Sequence, residues 1–220
     1  MTTLAAAYAT KESEYFGSAR REILPLVPGP LGRVLEVGCG SGATLAMLRA
    51  ERGCRWLAGV ELFPDAAQLA RTHLDAVYEG DIEAMAMPVP EGSLDLVLCL
   101  DVLEHLRDPW LAVRRLATLL RPDGSLIASI PNVRHVAVVG PLLLRGQWRY
   151  TDSGPLDRTH LRFFTRESAV ALLEDAGLRV RRIEVTGLPP GSRRRLFDRL
   201  TRGAFRGLLA SQYLLRAVPG

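Results

Sequence analysis

Short apolar runs alternate along this chain with stretches in which apolar residues recur every three or four positions. GRVLEVG (32–38) reads as a buried strand, 43–52 as a helix and 55–61 as a second strand. A proline at the first turn opens a helix over 64–73. Residues 76–82 make a third strand and 94–100 a fourth. Apolar side chains at 110, 113, 116, 117 and 120 place a helix between 109 and 120. Pro122-Asp123-Gly124 is a turn signal before a fifth strand at 125–130. Thr165 suits the cap of a helix running to Ala176, and Gly177 its stop. The stretch 178–186 alternates as a strand, 193–209 is helical, and 212–218 closes the chain with a last short strand.

Strands alternating with helices at this spacing predict an α/β fold. The architecture expected is a Rossmann-like three-layer sandwich around a mostly parallel sheet. The 220 residues, 48% of them hydrophobic, are enough for one sizeable core. No internal repeat breaks the pattern. Such sheets bind ligands outside the carboxyl ends of their strands, so the residues that follow each strand carry the functional information.

Strand one is followed by Gly38-Cys39-Gly40-Ser41-Gly42. Glycines there allow positive φ and close approach of a ligand to the backbone. With Ala43 as a third small residue, the run also fits a dinucleotide-binding loop. Glu36 lies on the strand itself, where a buried carboxylate asks for a cationic partner. Strand two ends in Glu61, spaced to accept both hydroxyls of a ribose. Strand three ends in Gly80-Asp81-Ile82; the Asp81 carboxylate can take an adenine amino group, and Ile82 can pack on the ring. Strand four ends in Leu100-Asp101.

Two cofactor classes fit the glycine turn, and charge separates them. A nicotinamide cofactor carries a pyrophosphate, which an acid-lined site repels. S-adenosylmethionine carries a sulfonium and an ammonium, so Glu36, Asp81 and Asp101 favour it. A short-chain oxidoreductase also needs a Tyr-x-x-x-Lys pair, and the only lysine is Lys11. Other nicotinamide-dependent oxidoreductases, and a protein that holds the cofactor without transferring a methyl group, stay open as alternatives.

At these residues the chain resembles the class I S-adenosylmethionine-dependent methyltransferases. VLEVGCGSG, GVELFPDA, GDIEAM, LDLVLCLDVLEHLRDP and LLRPDGSLIASIPN match five family motifs in order, within a resemblance that covers about residues 15 to 187. The resemblance implies a seven-stranded sheet with an antiparallel last strand between strands five and six. It implies that Glu36, Gly38 and Gly40 contact the methionine part of the cofactor, Glu61 the ribose and Asp81 the adenine. Cys39, Gly42, Leu62, Ile82, Leu100 and Asp101 complete the expected cofactor site, and S-adenosylhomocysteine is the expected product. The stretch PNVRHVAVVGPLLLRGQWRYTDSGPLDRTHLRFFT resembles bacterial methyltransferases found beside glycosyltransferases, which implies a glycan or glycolipid acceptor. The Asn/Asp-Pro-Pro-Tyr stretch of amino-group methyltransferases is replaced by Leu100-Asp101-Val102-Leu103. A small-molecule or saccharide-like oxygen acceptor is therefore expected, and nucleic acid is not.

Methyl transfer needs alignment and, for an alcohol acceptor, a base. His160, in the loop after strand five, is the preferred base, with Asp157 placed to orient it and His135 as second choice. His105 belongs to a helix start and is read as structural. Trp148, Tyr150, Phe163 and Phe164 divide between core and acceptor pocket. Three sections flank the sheet: an N-terminal helical lid (1–30, with Tyr15-Phe16), an acceptor-side insertion (131–164) and a basic helix with the last strand (188–220).

Net charge is +4, with seven arginines crowded between Arg193 and Arg216. That is either a solvated helix face or a surface for peripheral membrane contact through 192–209. Cys39, Cys54 and Cys99 form no C-x-x-C pair, so reduced thiols and no metal centre are expected. The N-terminus lacks a signal-peptide pattern, and a cytoplasmic protein is expected.

Overall fold

The computed structural model describes residues 18–220; the lid residues Tyr15 and Phe16 lie outside them. Seven strands form one sheet: β1 (Arg33–Val37), β2 (Trp56–Glu61), β3 (Ala76–Glu79), β4 (Leu94–Leu100), β5 (Leu120–Pro131), β6 (Leu178–Val185) and β7 (Gln212–Pro219). Their order across the sheet is β3-β2-β1-β4-β5-β7-β6. The first five are parallel, and β7 runs antiparallel to both β5 and β6. The chain leaves β1 toward β2 and β3, then returns to β4 on the other side of β1. That reversal opens a crevice at the carboxyl ends of β1 and β4, where this class of sheet takes its ligand.

Both faces of the sheet are covered, which explains the near-continuous apolar character of the central strands. Leu35, Val37, Val97 and Cys99 point into one layer with Val113 and Leu116 of α3 (Pro109–Ala117) and Leu172 of α5 (Arg166–Glu174). Val34, Leu57, Leu96 and Leu98 point into the other, against Leu45 and Leu48 of α1 (Ala43–Arg52) and Ile23 and Leu26 of the segment before β1. Each fully buried leucine contributes about 1.5–3 kcal/mol relative to exposure.

Several predicted elements are corrected. The second helix, α2 (Pro64–Ala70), ends earlier than expected, and β3 ends at Glu79 rather than at Ile82. The Pro122–Gly124 signal produces no separate turn; β5 runs through it with a register shift against β4 between Leu94 and Leu96. The basic helix divides into α6 (Arg193–Leu200) and α7 (Arg206–Leu209), because Arg202 adopts a left-handed φ of 50°. Within 131–164 the chain forms a helix that periodicity did not predict, α4 (Val136–Arg145). It is apolar nearly all round and buries only Val138, so no polar–apolar stripe marks it. Among the described residues no helix is long and apolar enough to cross a membrane.

Candidate active site

A cavity of about 630 Å³ opens at the carboxyl ends of β1 to β4. The turn after β1 forms one wall. Gly38 has a φ of 67°, and a β-carbon there would stand 2.7 Å from Cγ2 of Val102. No other residue fits without displacing the next wall of the cavity. Gly42 starts α1 with a φ of 81° and lies over Leu74, outside the cavity lining. Its part is to shape the turn. Cys39 and Gly40 line the cavity, as do Leu62, Ile82 and Leu100 from the following strand ends.

The four acids reach the cavity in two different states. Glu61 accepts the Gly40 N–H at 2.8 Å and the Phe63 N–H at 3.0 Å, so it ties the turn after β1 to the turn after β2. Burial pushes its carboxyl up, and the amides of Phe63, Gly40 and Leu62 oppose that. Glu36 is 3% exposed, and its Oε2 has no hydrogen-bond partner among the described residues. Burial pushes its carboxyl up to about 8, with Arg20 pulling down and Glu61 adding to the rise. An acid held this way takes up a proton in an empty cavity and ionises when a cation arrives.

Asp81 and Asp101 differ from expectation. Both line the cavity, but neither offers an uncompensated charge. Asp81 meets Arg107 at 3.2 Å and accepts the Glu83 N–H at 2.8 Å. Asp101 pairs with Arg20 and accepts from Ser129 Oγ at 2.9 Å and from Gln212 Nε2 at 2.8 Å. All four acids read from the sequence line the cavity, and Glu36 and Glu61 are the two that form no arginine ion pair among the described residues. Arg20 is the residue that sequence reading missed. It lines the cavity on its amino-terminal side, and its backbone N–H reaches Thr44 Oγ1 at 3.2 Å. Burial works against its charge, but Asp101 and Glu22 hold its pKa above the ordinary arginine value.

The opposite wall is built by His105, Leu106, Arg158, Thr159 and Leu161. His105 sits in a single 3-10 turn, Leu103–His105, just after β4. The amides of Leu161 and Arg162 both donate to the Glu104 carbonyl, at 2.8 and 2.9 Å, which clamps the distant loop onto this turn. His105 Nδ1 lies 3.1 Å from the Thr159 carbonyl. His160 stands behind His105, with ring centroids 4.8 Å apart and edge to face. Neither His160, Asp157 nor His135 belongs to the cavity lining. Asp157 is buried and accepts from the Thr159 N–H at 2.9 Å and the Thr159 hydroxyl at 2.7 Å, holding the loop. His135 caps α4, its Nδ1 accepting the Ala137 N–H at 3.2 Å. Burial, aided by Arg194, lowers its pKa and favours this neutral form. Phe164 is buried in the core, whereas Trp148 and Tyr150 gather around Phe163 near the surface.

Against known proteins, a family model for a methyltransferase domain matches residues 8–183, and the chain belongs to that family. A ubiquinone biosynthesis O-methyltransferase of Xanthomonas campestris pv. campestris (strain B100) is 36% identical over 138 residues, covering 56% of each chain. The chain thus spans about half the length of that curated relative. The protein of the same name from Xanthomonas euvesicatoria pv. vesicatoria is 34% identical over 185 residues, covering 76% of this chain and 71% of its own. Among solved structures, a SAM-dependent methyltransferase from Archaeoglobus fulgidus superimposes with a TM-score of 0.68 at 20% identity over 94% of both chains. The fold is that of the S-adenosylmethionine-dependent methyltransferases, as the strand order and the antiparallel β7 already indicated.

Proposed function

We propose that this chain transfers the methyl group of S-adenosylmethionine to a hydroxyl oxygen of a small molecule. The observation that carries the reading is Glu36: a buried carboxyl with an unpartnered oxygen beside the glycine turn fits a cationic ligand. A pyrophosphate offers it nothing. Glu36 would receive the ammonium of the methionine part and Arg20 its carboxylate. Glu61 would hold the ribose, and Asp81 with Ile82 the adenine. When bound, the cofactor supplies an electrophilic methyl group on a sulfonium. The protein's contribution is then to align an acceptor oxygen in line with that carbon.

The acceptor enters on the side of His105, Thr159 and Leu161, and its hydroxyl meets His105 before His160. The relatives' names support oxygen as the accepting atom. The likeness of the 131–165 stretch to methyltransferases found beside glycosyltransferases supports saccharide-bearing acceptors within the same class. Radiolabelled methyl transfer onto phenolic and saccharide-like panels, run beside calorimetric binding of S-adenosylhomocysteine, tests the reading. Cofactor binding without transfer to any oxygen acceptor would leave a binding protein. Binding of NAD in its place would leave an oxidoreductase.

A membrane-facing acceptor is supported by the surface around α4 and α6. Leu143 and Leu144 are 81% and 85% exposed, and Leu196 and Leu200 on α6 are exposed beside Arg193, Arg195 and Arg199. On α6, apolar side chains beside arginines fit an anionic lipid surface, and the exposed leucines of α4 add a second apolar element.

A further inference from the structure

The charges around the cavity are matched on one side and not on the other. Three arginines line it among the described residues: Arg20, Arg107 and Arg158. The first two are paired with acids that line it with them. Arg20 pairs with Asp101, and Arg107 meets Asp81 at 3.2 Å and Glu83 at 3.4 Å. Arg158 has no such match. Its ion-pair partner among the described residues is Asp152, which lies outside the cavity lining.

The pair with Asp152 is a loose one. Arg158 Nε stands 3.1 Å from Asp152 Oδ1, but 68% of the arginine side chain and 93% of the aspartate side chain are in solvent. Pairs this exposed add little and exchange readily for a ligand. The backbone beneath is held firmly. The Arg158 N–H donates to the Thr151 carbonyl at 3.0 Å, and the Thr151 N–H to the Leu156 carbonyl at 2.9 Å. The neighbours Asp157 and Thr159 are both buried and hydrogen-bonded to each other. Arg158 is thus an exposed charged head on a fixed stem.

The rest of this wall carries no acid: its other lining residues are His105, Leu106, Thr159 and Leu161. The acids that line the cavity, Glu36, Glu61, Asp81, Glu83 and Asp101, all stand on or just after β1 to β4. The cofactor wall is matched to a cation and the acceptor wall to an anion.

We propose that Arg158 is the specificity-determining residue of the acceptor site, and that the acceptor carries an anionic group, carboxylate or phosphate, beside the hydroxyl that is methylated. The inference rests on the methyltransferase reading and names the class of molecule that such an enzyme would take here. A guanidinium presents its N–H donors as a planar fork, and a carboxylate or phosphate accepts two of them in parallel. Such a pair fixes direction as well as distance, so it can hold a neighbouring hydroxyl in line with the methyl carbon. A bound acceptor also excludes water from around the arginine, which strengthens the attraction. Leu106 and Leu161 beside it suit the uncharged body of the same molecule.

The test measures calorimetric binding to the whole chain preloaded with S-adenosylhomocysteine. Two pairs of probes differ by one anionic group: 4-hydroxybenzoate against its methyl ester, and glucose 6-phosphate against glucose. In at least one pair the anionic member should bind about tenfold tighter or more. The pair that discriminates names the group, carboxylate or phosphate. Arg158→Gln should abolish the preference. Arg158→Lys should keep part of it, because an ammonium retains the charge and loses the fork. Added salt should shrink the preference in the wild type. Affinity for S-adenosylhomocysteine should change less than about threefold in both variants, which reports an intact fold and separates Arg158 from the cofactor wall. Equal or undetectable binding of both members in both pairs, or a preference that survives Arg158→Gln, would overturn the proposal. A wild type that fails to bind S-adenosylhomocysteine would overturn the cofactor reading instead. The probes would then be titrated into the unloaded protein, where their ranking still decides the anion site.

Discussion

The two walls of the cavity are built by opposite strategies. The cofactor wall takes its residues from the ends of consecutive strands, each within a few positions of a glycine turn or an acid. The acceptor wall joins His105, just after β4, to Thr159, 54 positions later, through a backbone clamp and a side-chain hydrogen bond. The first is a local product of the parallel sheet; the second is a tertiary product of a loop folding back. Within the cofactor wall the charges are held in two ways. Glu36 and Glu61 are held by burial and by backbone amides, whereas Asp81 is held by an exposed arginine. A wall made from strand ends is rigid and specific for one ligand; a wall made by a returning loop is where acceptor preference can change.

The largest expected effect breaks the cofactor wall at its backbone. Gly38→Ala forces a side chain into a φ of 67° and within 2.7 Å of Val102. Strain of this kind costs about 1–3 kcal/mol before the contact is counted. Binding of S-adenosylhomocysteine should fall at least about 100-fold, since each 1.4 kcal/mol is tenfold. Calorimetric titration reads it, and an affinity within threefold of wild type would mean the turn does not shape the site.

Next in size is the charge response of Glu36. Its carboxyl is raised by burial to about 8 in the folded protein, so the native state binds more protons than the unfolded chain above the ordinary carboxylate range. With more protons on the native state, stability falls as pH rises from that range to about 8, then levels off for this group. Denaturant midpoints in the wild type should show that fall, and Glu36→Gln should flatten it. Over the same window, affinity for S-adenosylmethionine should rise with pH in the wild type and stay level in the variant.

A smaller effect separates the acceptor side from the cofactor side. Replacing Leu143 and Leu144 together with serine removes two side chains that are more than four-fifths exposed. Sedimentation with anionic vesicles should drop several-fold as the two exposed apolar side chains are lost from the lipid contact. Melting temperature and S-adenosylhomocysteine affinity should not move. Equal sedimentation would remove the membrane contact from the account.

The smallest effect is expected at Arg107. Its pairing with Asp81 is exposed, with 72% of the arginine side chain in solvent, and such pairs contribute about 0–1 kcal/mol. Arg107→Ala should change cofactor affinity less than about fivefold. A larger loss would make Arg107 part of the cofactor wall.

What was legible in the sequence follows the same division. The alternation of strands and helices, the glycine turn, Glu36 and Glu61 were readable because a parallel sheet puts its ligand contacts where apolar runs stop, and the place of the last strand came with the family resemblance. The pairing of Asp81 and Asp101 with arginines was not, since Arg20 and Arg107 reach them from 81 and 26 positions away. Helix α4 lacked a polar face, and the break between α6 and α7 uses two successive left-handed residues, Arg202 and Gly203, of which only the glycine was a signal in the sequence. Glu104 and His105 stood in the sequence as the end of a strand motif. Their closeness to His160 exists only once the loop has folded back.

The most direct test of the central claim is one calorimetric experiment, in which S-adenosylmethionine and NAD are titrated separately into the wild-type protein and into Glu36→Gln at a pH above 8. The account predicts one S-adenosylmethionine bound per chain, an affinity loss of about tenfold or more in the variant, and no heat from NAD. NAD binding in the same cavity, or equal affinity of both proteins for S-adenosylmethionine, would contradict it.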